Sequence, residues 1–438
     1  MKKKLTSKSL FFKLRVSTAA VFLLTGVDAV LLAAITTAPA VDTVDFAAGG
    51  ATPTPTPTPC GWLFGQQLPS VGTRLVGVFY SGNFNHSRTP SPMDFPVVPT
   101  PTPPFPTGKF FAMGGRSSDT AGSDFMHPFE YTPLLNSWTT KSATYPDNQV
   151  NNMACGALNV NGADYIYCVG GSAAGATTAT DRVFRYDPIT DTLITIAAPW
   201  PGAMGTILPG GFAVFDNKLY ILGGFNINVG MVDTIWEFTP SPPTWVQKSA
   251  VLPTALGYIP TAALHNSLIA TGGGSTWDGT ALHDSTFSFA YDPVADTIHA
   301  IAAIPRATSQ TRALNFCNMM YVMGGGIDAP NPSNEVDIYD PASNSWSVGQ
   351  PFAHARRNFA TDTDGGQRIW VAGGYDATGV PTDSMEVFNC IRNLCPPTPF
   401  PTPTVSATPT ATATPTSTPR ITATPRTTPT PRPTPPRL

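Results

Sequence analysis

The side chains able to do chemistry are few and scattered. The densest cluster joins Trp277 and Asp278 to His283 and Asp284. An imidazole beside carboxylates could move protons or grip a polar ligand; a solvated polar loop is the plainer reading of the same residues. Arg306 and Arg356 could each clamp a carboxylate through two parallel N–H donors, although a structural role competes for both. Asp362 and Asp364 are of the type that ligates calcium, but they sit in an Asp-Gly-Gly turn, and turn chemistry explains them better. The six cysteines contain no C-x-x-C and no pair at the short spacing of a structural zinc site. The residues therefore assemble no catalytic set and no metal centre, and no cofactor is expected.

Composition limits what could position such residues. Of 438 residues only 12% are charged, while proline (47) and glycine (38) are abundant. Such a chain is rich in turns and poor in helices. Residues 60–395 carry 15 basic and 25 acidic side chains, a net charge of −10. That balance argues against nucleic acid as a partner.

The two ends differ from the middle. Lys2, Lys3, Lys4, Lys8, Lys13 and Arg15 precede an apolar run from Val16 to Ile35, followed by Ala38-Pro39-Ala40. Residues 1–40 read as an export signal. The competing reading is an uncleaved anchor, which Asp28 near the middle of the run disfavours. No second apolar stretch is long enough to cross a membrane, so the mature chain is expected to have no span and to be secreted or held in the cell envelope. Six cysteines suit an oxidising compartment. Residues 41–59 form a Pro/Thr-rich linker, and residues 396–438 a Pro/Thr-rich tail expected to be disordered. Their Thr and Ser density also suits O-glycosylation.

Between these ends lies a repeat. Apolar residues run into a Gly-Gly pair six times, at Gly114-Gly115, Gly170-Gly171, Gly223-Gly224, Gly272-Gly273, Gly324-Gly325 and Gly373-Gly374. The first glycines are 56, 53, 49, 52 and 49 residues apart. About fifteen residues later comes an aromatic residue, with a Trp or aliphatic residue seven beyond it. These pairs are Tyr131/Trp138, Tyr186/Leu193, Phe238/Trp245, Tyr291/Ile298 and Tyr339/Trp346.

This pattern resembles the kelch repeat over essentially all of 60–395. The resemblance implies an all-β fold: a six-bladed kelch-type β-propeller with four antiparallel strands per blade. The fifth repeat supplies the four runs Ala313-Phe316, Met319-Met323, Glu335-Tyr339 and Ser345-Val348, separated by turn formers. The glycines should end the second strand where a neighbouring blade comes close or φ must be positive. Leu193 and Ile298 replace the Trp in blades two and four, so looser packing is expected there.

The sixth repeat has Phe388 but no Trp seven residues later. Cys60-Gly61-Trp62, followed by Arg74 and an apolar strand, has the form of the missing piece. An N-terminal strand in the last blade would close the ring and remove an exposed seam. Laid on the fifth repeat, Cys60 falls on Asn344 and Cys390 on Pro341, across one tight turn. A Cys60–Cys390 disulfide is expected, with Cys395 as the competing partner. A two-residue Asn161-Gly162 hairpin pairs Cys155 with Cys168, whereas a four-residue loop would misalign them. Cys317 then reads as a free thiol and Cys395 has no clear mate.

The resemblance also places two sets of loops on one face, and in kelch proteins that face commonly binds the partner. After the glycines it carries Arg116, Trp277, Asp278, His283, Asp284, Tyr375 and Asp376. Before the first strands it carries Arg74, Tyr258, Arg306, Arg312, His354, Arg356 and Arg357. Arg74, Arg312 and Arg357 match a kelch arginine that braces the innermost strand. An insertion at 84–108 is expected on the opposite face. The expected function is a monomeric, secreted or cell-surface module binding a protein or glycan. The alternative is a carbohydrate-active enzyme, since galactose oxidases and bacterial sialic-acid mutarotases share the architecture. The copper ligand set of the former cannot be assembled here, and the Ser-x-Asp-x-Gly-x-x-Trp boxes of sialidases are absent.

Overall fold

The computed structural model describes residues 60–81, 108–203 and 206–390. The export signal, both Pro/Thr segments, nearly all of the 84–108 insertion and Cys395 lie outside them. Six four-stranded antiparallel sheets stand radially around a central channel. Apart from one 3-10 turn at Pro201–Ala203, the regular structure among the described residues is all β. No helix there is long and apolar enough to cross a membrane.

Blade five shows the unit. From the channel outward its strands are Ala313–Phe316, Met319–Gly325, Ser333–Asp340 and Ser345–Val348. The expected runs are all present, and the second and third extend by a few residues. Blade six takes Ala360–Thr363, Arg368–Ala372 and Met385–Asn389 from the end of the described chain, and its outermost strand, Gly61–Phe64, from the beginning. Trp62 pairs with Phe388, the register Trp346 holds with Tyr339. The Cys60–Cys390 disulfide joins these two strands across 330 residues of sequence. Val160 pairs with Ala163, which sets Cys155 opposite Cys168, and these two are also bonded. Cys317 corrects the sequence reading: it is disulfide-bonded, not a free thiol, and its partner lies outside the described residues.

The core is divided between neighbouring blades. One cluster packs Phe79 and Phe110 of blade one against Trp370 of blade six; these rings stack, with Trp370 5.1 Å from Phe79 and 5.6 Å from Phe110. Close approach explains the glycines. A Cβ on Gly114, whose φ is +62°, would lie 2.1 Å from the Val150 carbonyl oxygen of the next blade.

A second joint lies at the rim. The indole N–H of Trp138 donates to the carbonyl of Gln66 in the linker from the preceding blade (2.8 Å). Asn136, two residues earlier, accepts from the N–H of that same Gln66 and from the Tyr131 hydroxyl. Trp346 and Asn344 grip Ala302 in the same way. In blades two and four, where the Trp is missing, the Asn is an Asp. Asp191 accepts from the N–H groups of Ser142 and Ala143, the Ser142 hydroxyl and the Tyr186 hydroxyl. Asp296 repeats this with Ser249, Ala250 and Tyr291. The expected looseness in these blades is thus offset by extra hydrogen bonds to a carboxylate.

Candidate functional site

The chain enters five of the six innermost strands through a left-handed residue that is not glycine. These residues are Arg74, Asn152, Tyr258, Gln310 and Asn358, with φ between +49° and +57°. This conformation is uncommon outside glycine, and it persists only where surrounding bonds over-determine it. Here they do. Asn152 donates its backbone N–H to the carbonyl of Arg74, Arg74 to Asn358, Asn358 to Gln310 and Gln310 to Tyr258, at 2.7–3.2 Å. Ile259 carries the sequence on to Gly210 at 3.0 Å. A girdle of backbone hydrogen bonds therefore runs from blade to blade around the channel.

Above the girdle lies a pocket of about 330 Å³, lined by Arg74, Arg116, Asp119, Ser172, Phe225 and Tyr258 among others. Tyr375 organises its charged side. The Arg357 guanidinium carbon stands 4.5 Å from the Tyr375 ring centroid and that of Arg74 5.8 Å, both within cation–π range. The Tyr375 hydroxyl donates to Asp119 and accepts from Arg116 (3.1 Å), and Arg116 also pairs with Asp119. Arg357 donates to the Gln310 side-chain oxygen, as does the side-chain amide of Asn358.

The electrostatics follow from crowding cations. Burial pulls the Arg357 pKa below the ordinary arginine value, and the charge of Arg74 pushes the same way. For Arg74 burial also opposes the cation, but Tyr258, Tyr375 and Asp119 outweigh it and hold the pKa high. Burial would raise the pKa of Asp119, but the Tyr375 hydroxyl and Arg116 hold it low. The mouth is thus a group of three fixed guanidinium ions around one carboxylate.

The remaining candidates separate clearly. Trp277 packs on Phe225, a pocket residue, with ring centroids 5.3 Å apart. His283 sits on an exposed hairpin between Asp278 at 3.1 Å and Asp328 at 3.4 Å. The Asp278 hydrogen bond, with help from Asp328, raises its pKa against an opposing desolvation. Asp284 is consumed as a staple, accepting from the N–H groups of Ile327 and Asp328, the Asn331 amide and the Ser309 hydroxyl. Asp376 closes its own turn by accepting from Thr378 and Val380. Asp364 does the same for Gly366, Gln367 and Arg368.

Arg306 and Arg356 do not reach the pocket, which corrects the clamp reading. Arg356 is fully buried and donates to Glu386 and to the carbonyls of Gly373 and Ser384. Arg306 pairs with Asp337 at 2.8 Å and Glu335 at 3.5 Å. Glu386 and Asp337 each stand two residues before the repeat aromatic, so a repeat alignment that included acids would have found both braces. It would also have separated Arg74, Arg312 and Arg357. Arg74 is a girdle residue, Arg357 precedes one, and Arg312 follows one by two positions, so the three do not share one role. Asp119, three residues after Arg116, and Gln310 are site residues that the sequence reading missed. Among the described residues no group of His, Cys, Asp and Glu could hold a metal ion.

A family model described as the Kelch motif matches residues 153–192 and 307–353, in blades two and five. Two of the six repeats thus match the Kelch motif. Curated kelch proteins match more widely. Kelch-like protein 35 of Mus musculus is 31% identical over 142 residues, 32% of this chain and 23% of that protein. Beta-scruin of Limulus polyphemus is 24% identical over 193 residues, 40% of this chain and 20% of that one. Kelch-like protein 23 of Homo sapiens is 24% identical over 277 residues, 61% and 45% of the two chains. The chain thus spans less than half the length of each of these relatives. Within this propeller the pocket lies at the end of the channel reached by the loops that follow the Gly-Gly pairs.

Proposed function

We propose that the protein is an exported kelch binding module that takes a carboxylate-bearing partner, an acidic protein segment or an acidic glycan, at the Tyr375 mouth of its channel. One observation carries this reading. Arg74, Arg116 and Arg357 converge on Tyr375 with a single carboxylate, Asp119, among them, in a domain whose net charge is −10. Guanidinium groups held in fixed positions lose little freedom when they bind a carboxylate, and they recognise it by shape as well as charge. Export is supported by the basic and apolar start of the chain and by its bonded cysteines.

The test is a binding screen of the purified protein against acidic peptides and against neutral and uronate-containing glycans. The expected hits carry carboxylates, and Arg116→Gln with Arg357→Gln should weaken them by roughly a hundredfold, the combined effect of two charged hydrogen-bond donors. Hits confined to neutral ligands, or carboxylate hits indifferent to that double variant, would refute it. N-terminal sequencing of the protein recovered outside the cytoplasm tests export, which predicts a start near residue 41.

A further inference from the structure

Below the girdle the channel holds two more spaces. One, of about 60 Å³, is ringed by girdle residues including Asn152, Gln310 and Asn358. The other, of about 470 Å³, lies toward the opposite mouth and is lined by the innermost strands and hairpins of all six blades. Arg312 is the one residue lining both. It closes the channel between them.

Its position is anomalous. In each blade one residue of the innermost strand faces the residue just before the first repeat glycine. In the other five blades it is Val76, Ala154, Gly211, Thr261 and Ala360, all uncharged. In blade five it is Arg312, whose carbonyl meets the N–H of Met323. The guanidinium reaches across the axis. Nη1 donates to the Gly77 carbonyl of blade one (2.7 Å) and toward the Thr361 carbonyl of blade six. The guanidinium carbon lies 4.3 Å from the Phe212 ring centroid of blade three. Unlike Arg116, Arg182, Arg306 and Arg356, it has no ion-pair partner among the described residues. Burial pulls its pKa below the ordinary arginine value, and Asp362 is the one acid acting against that. Asp362 is itself engaged by the N–H groups of Phe79 and Thr363. A desolvated guanidinium held, among the described residues, by carbonyls and a ring is an unbalanced charge, and it recruits an anion where one can reach it.

The lower chamber gives access. Ala157, Ala213, Ala263 and Ala313 leave the room, and Asp362 and Asp364 also line the wall. We propose that this chamber is a second ligand site, separate from the Tyr375 mouth, for a small carboxylate that also carries hydroxyl groups. The carboxylate meets the Arg312 guanidinium, and the hydroxyls donate toward the acidic wall. A bare anion would be repelled by those two acids, and a neutral sugar would leave Arg312 unbalanced.

Calorimetric titration with glucuronate and glucose tests this, using full-length protein carrying Arg116→Gln and Arg357→Gln so that the upper mouth is disabled. Glucuronate should bind at one site and glucose should not. Adding Arg312→Met should weaken glucuronate about tenfold or more, the effect of one charged hydrogen-bond donor. Ala263→Phe, which fills the chamber, should abolish binding, and it keeps the test open if the Arg312 variant fails to fold. The proposal is overturned if the parent double variant does not bind glucuronate at millimolar concentration, if glucose binds equally well, or if a folded Arg312→Met or Ala263→Phe protein binds as its parent does.

Discussion

Blades one and five hold their neighbours with a tryptophan and an asparagine, whereas blades two and four use an aspartate and an aliphatic residue. The first pair grips one residue of the linker from the preceding blade, and the aspartate grips two. Trp138 donates to the carbonyl of Gln66 and Asn136 accepts from its N–H. Asp191 takes two successive N–H groups and a hydroxyl from the same stretch, and Leu193 only packs. Blade six keeps the indole grip, with Trp62 donating to the Gln350 carbonyl of the linker from blade five, and sets Cys60, bonded to Cys390 within the blade, where the asparagine stands in blade five. The joint between blades is thus made by an indole or by a carboxylate, while a covalent link holds the N-terminal strand inside blade six. A tryptophan joint should be indifferent to acidity, a carboxylate joint sensitive to it, and the disulfide-held strand of blade six sensitive to reductant.

The largest expected effect is at the disulfide. Cys390→Ser should cost up to about 5 kcal/mol of unfolding free energy, because the bond closes nearly the whole propeller into one loop. Denaturant unfolding with and without reductant measures it, and a loss under about 1 kcal/mol would show that strand pairing alone holds the seam. Next, Trp138→Ala should cost about 3 kcal/mol and Leu193→Ala about 2. Equal costs would dissolve the distinction between the two kinds of blade. Asp191→Ala should then cost about 2 kcal/mol and Asn136→Ala about 1, in keeping with the number of bonds each side chain accepts.

The contrast in pH dependence is the sharpest test. Burial works to raise the pKa of Asp191, but the bonds from Ser142, Tyr186 and Ala143 outweigh it and hold it below the ordinary value. Asp296 is lowered likewise by Ser249, Tyr291 and Ala250, against the same burial effect. A carboxylate whose pKa falls on folding contributes stability that is complete above its unfolded pKa of about 3.9 and disappears as the pH drops through the folded value. Acid unfolding of the Asp191→Asn, Asp296→Asn double variant should therefore be shallower than that of the parent below about pH 4. An unchanged acid profile would sink the charged-joint account. The smallest effect is a gain. Leu193→Trp places an indole donor beside the Ser142 carbonyl and should add about 0.5–1 kcal/mol, measured by the same denaturant series.

Much of this was readable from residue spacing, because repetition multiplies weak signals. The invariant interval of seven between Tyr339 and Trp346 and its relatives fixed the third and fourth strands. Its absence after Phe388 pointed to Trp62 some 300 residues away. The Asn161-Gly162 turn fixed the register of Cys155 and Cys168. The site was far less legible. Tyr375 sits between arginines from the entrances to blades one and six and from the loop after Gly115, and a one-dimensional pattern does not record which loops converge on an axis. Nor does residue type disclose the girdle, since Arg74 and Tyr258 are not residues that favour a left-handed backbone. Arg306 and Arg356 misled for the opposite reason. Their partners Asp337 and Glu386 lie about thirty residues downstream, outside any local motif.

The girdle has a mechanical consequence. Its hydrogen bonds link blade two to one, one to six, six to five, five to four and four to three. Blade three begins instead at Leu208-Pro209-Gly210, and no girdle bond from it to blade two exists among the described residues. The ring is therefore built like a split washer. Its stiff arc runs through blades four, five, six and one, and that arc contains both the disulfide-closed seam and every arginine of the Tyr375 mouth. When the propeller breathes, it should open first between blades two and three, parting the pocket walls at Ala179 and Leu208 while the arginines around Tyr375, on blades one and six, keep their places.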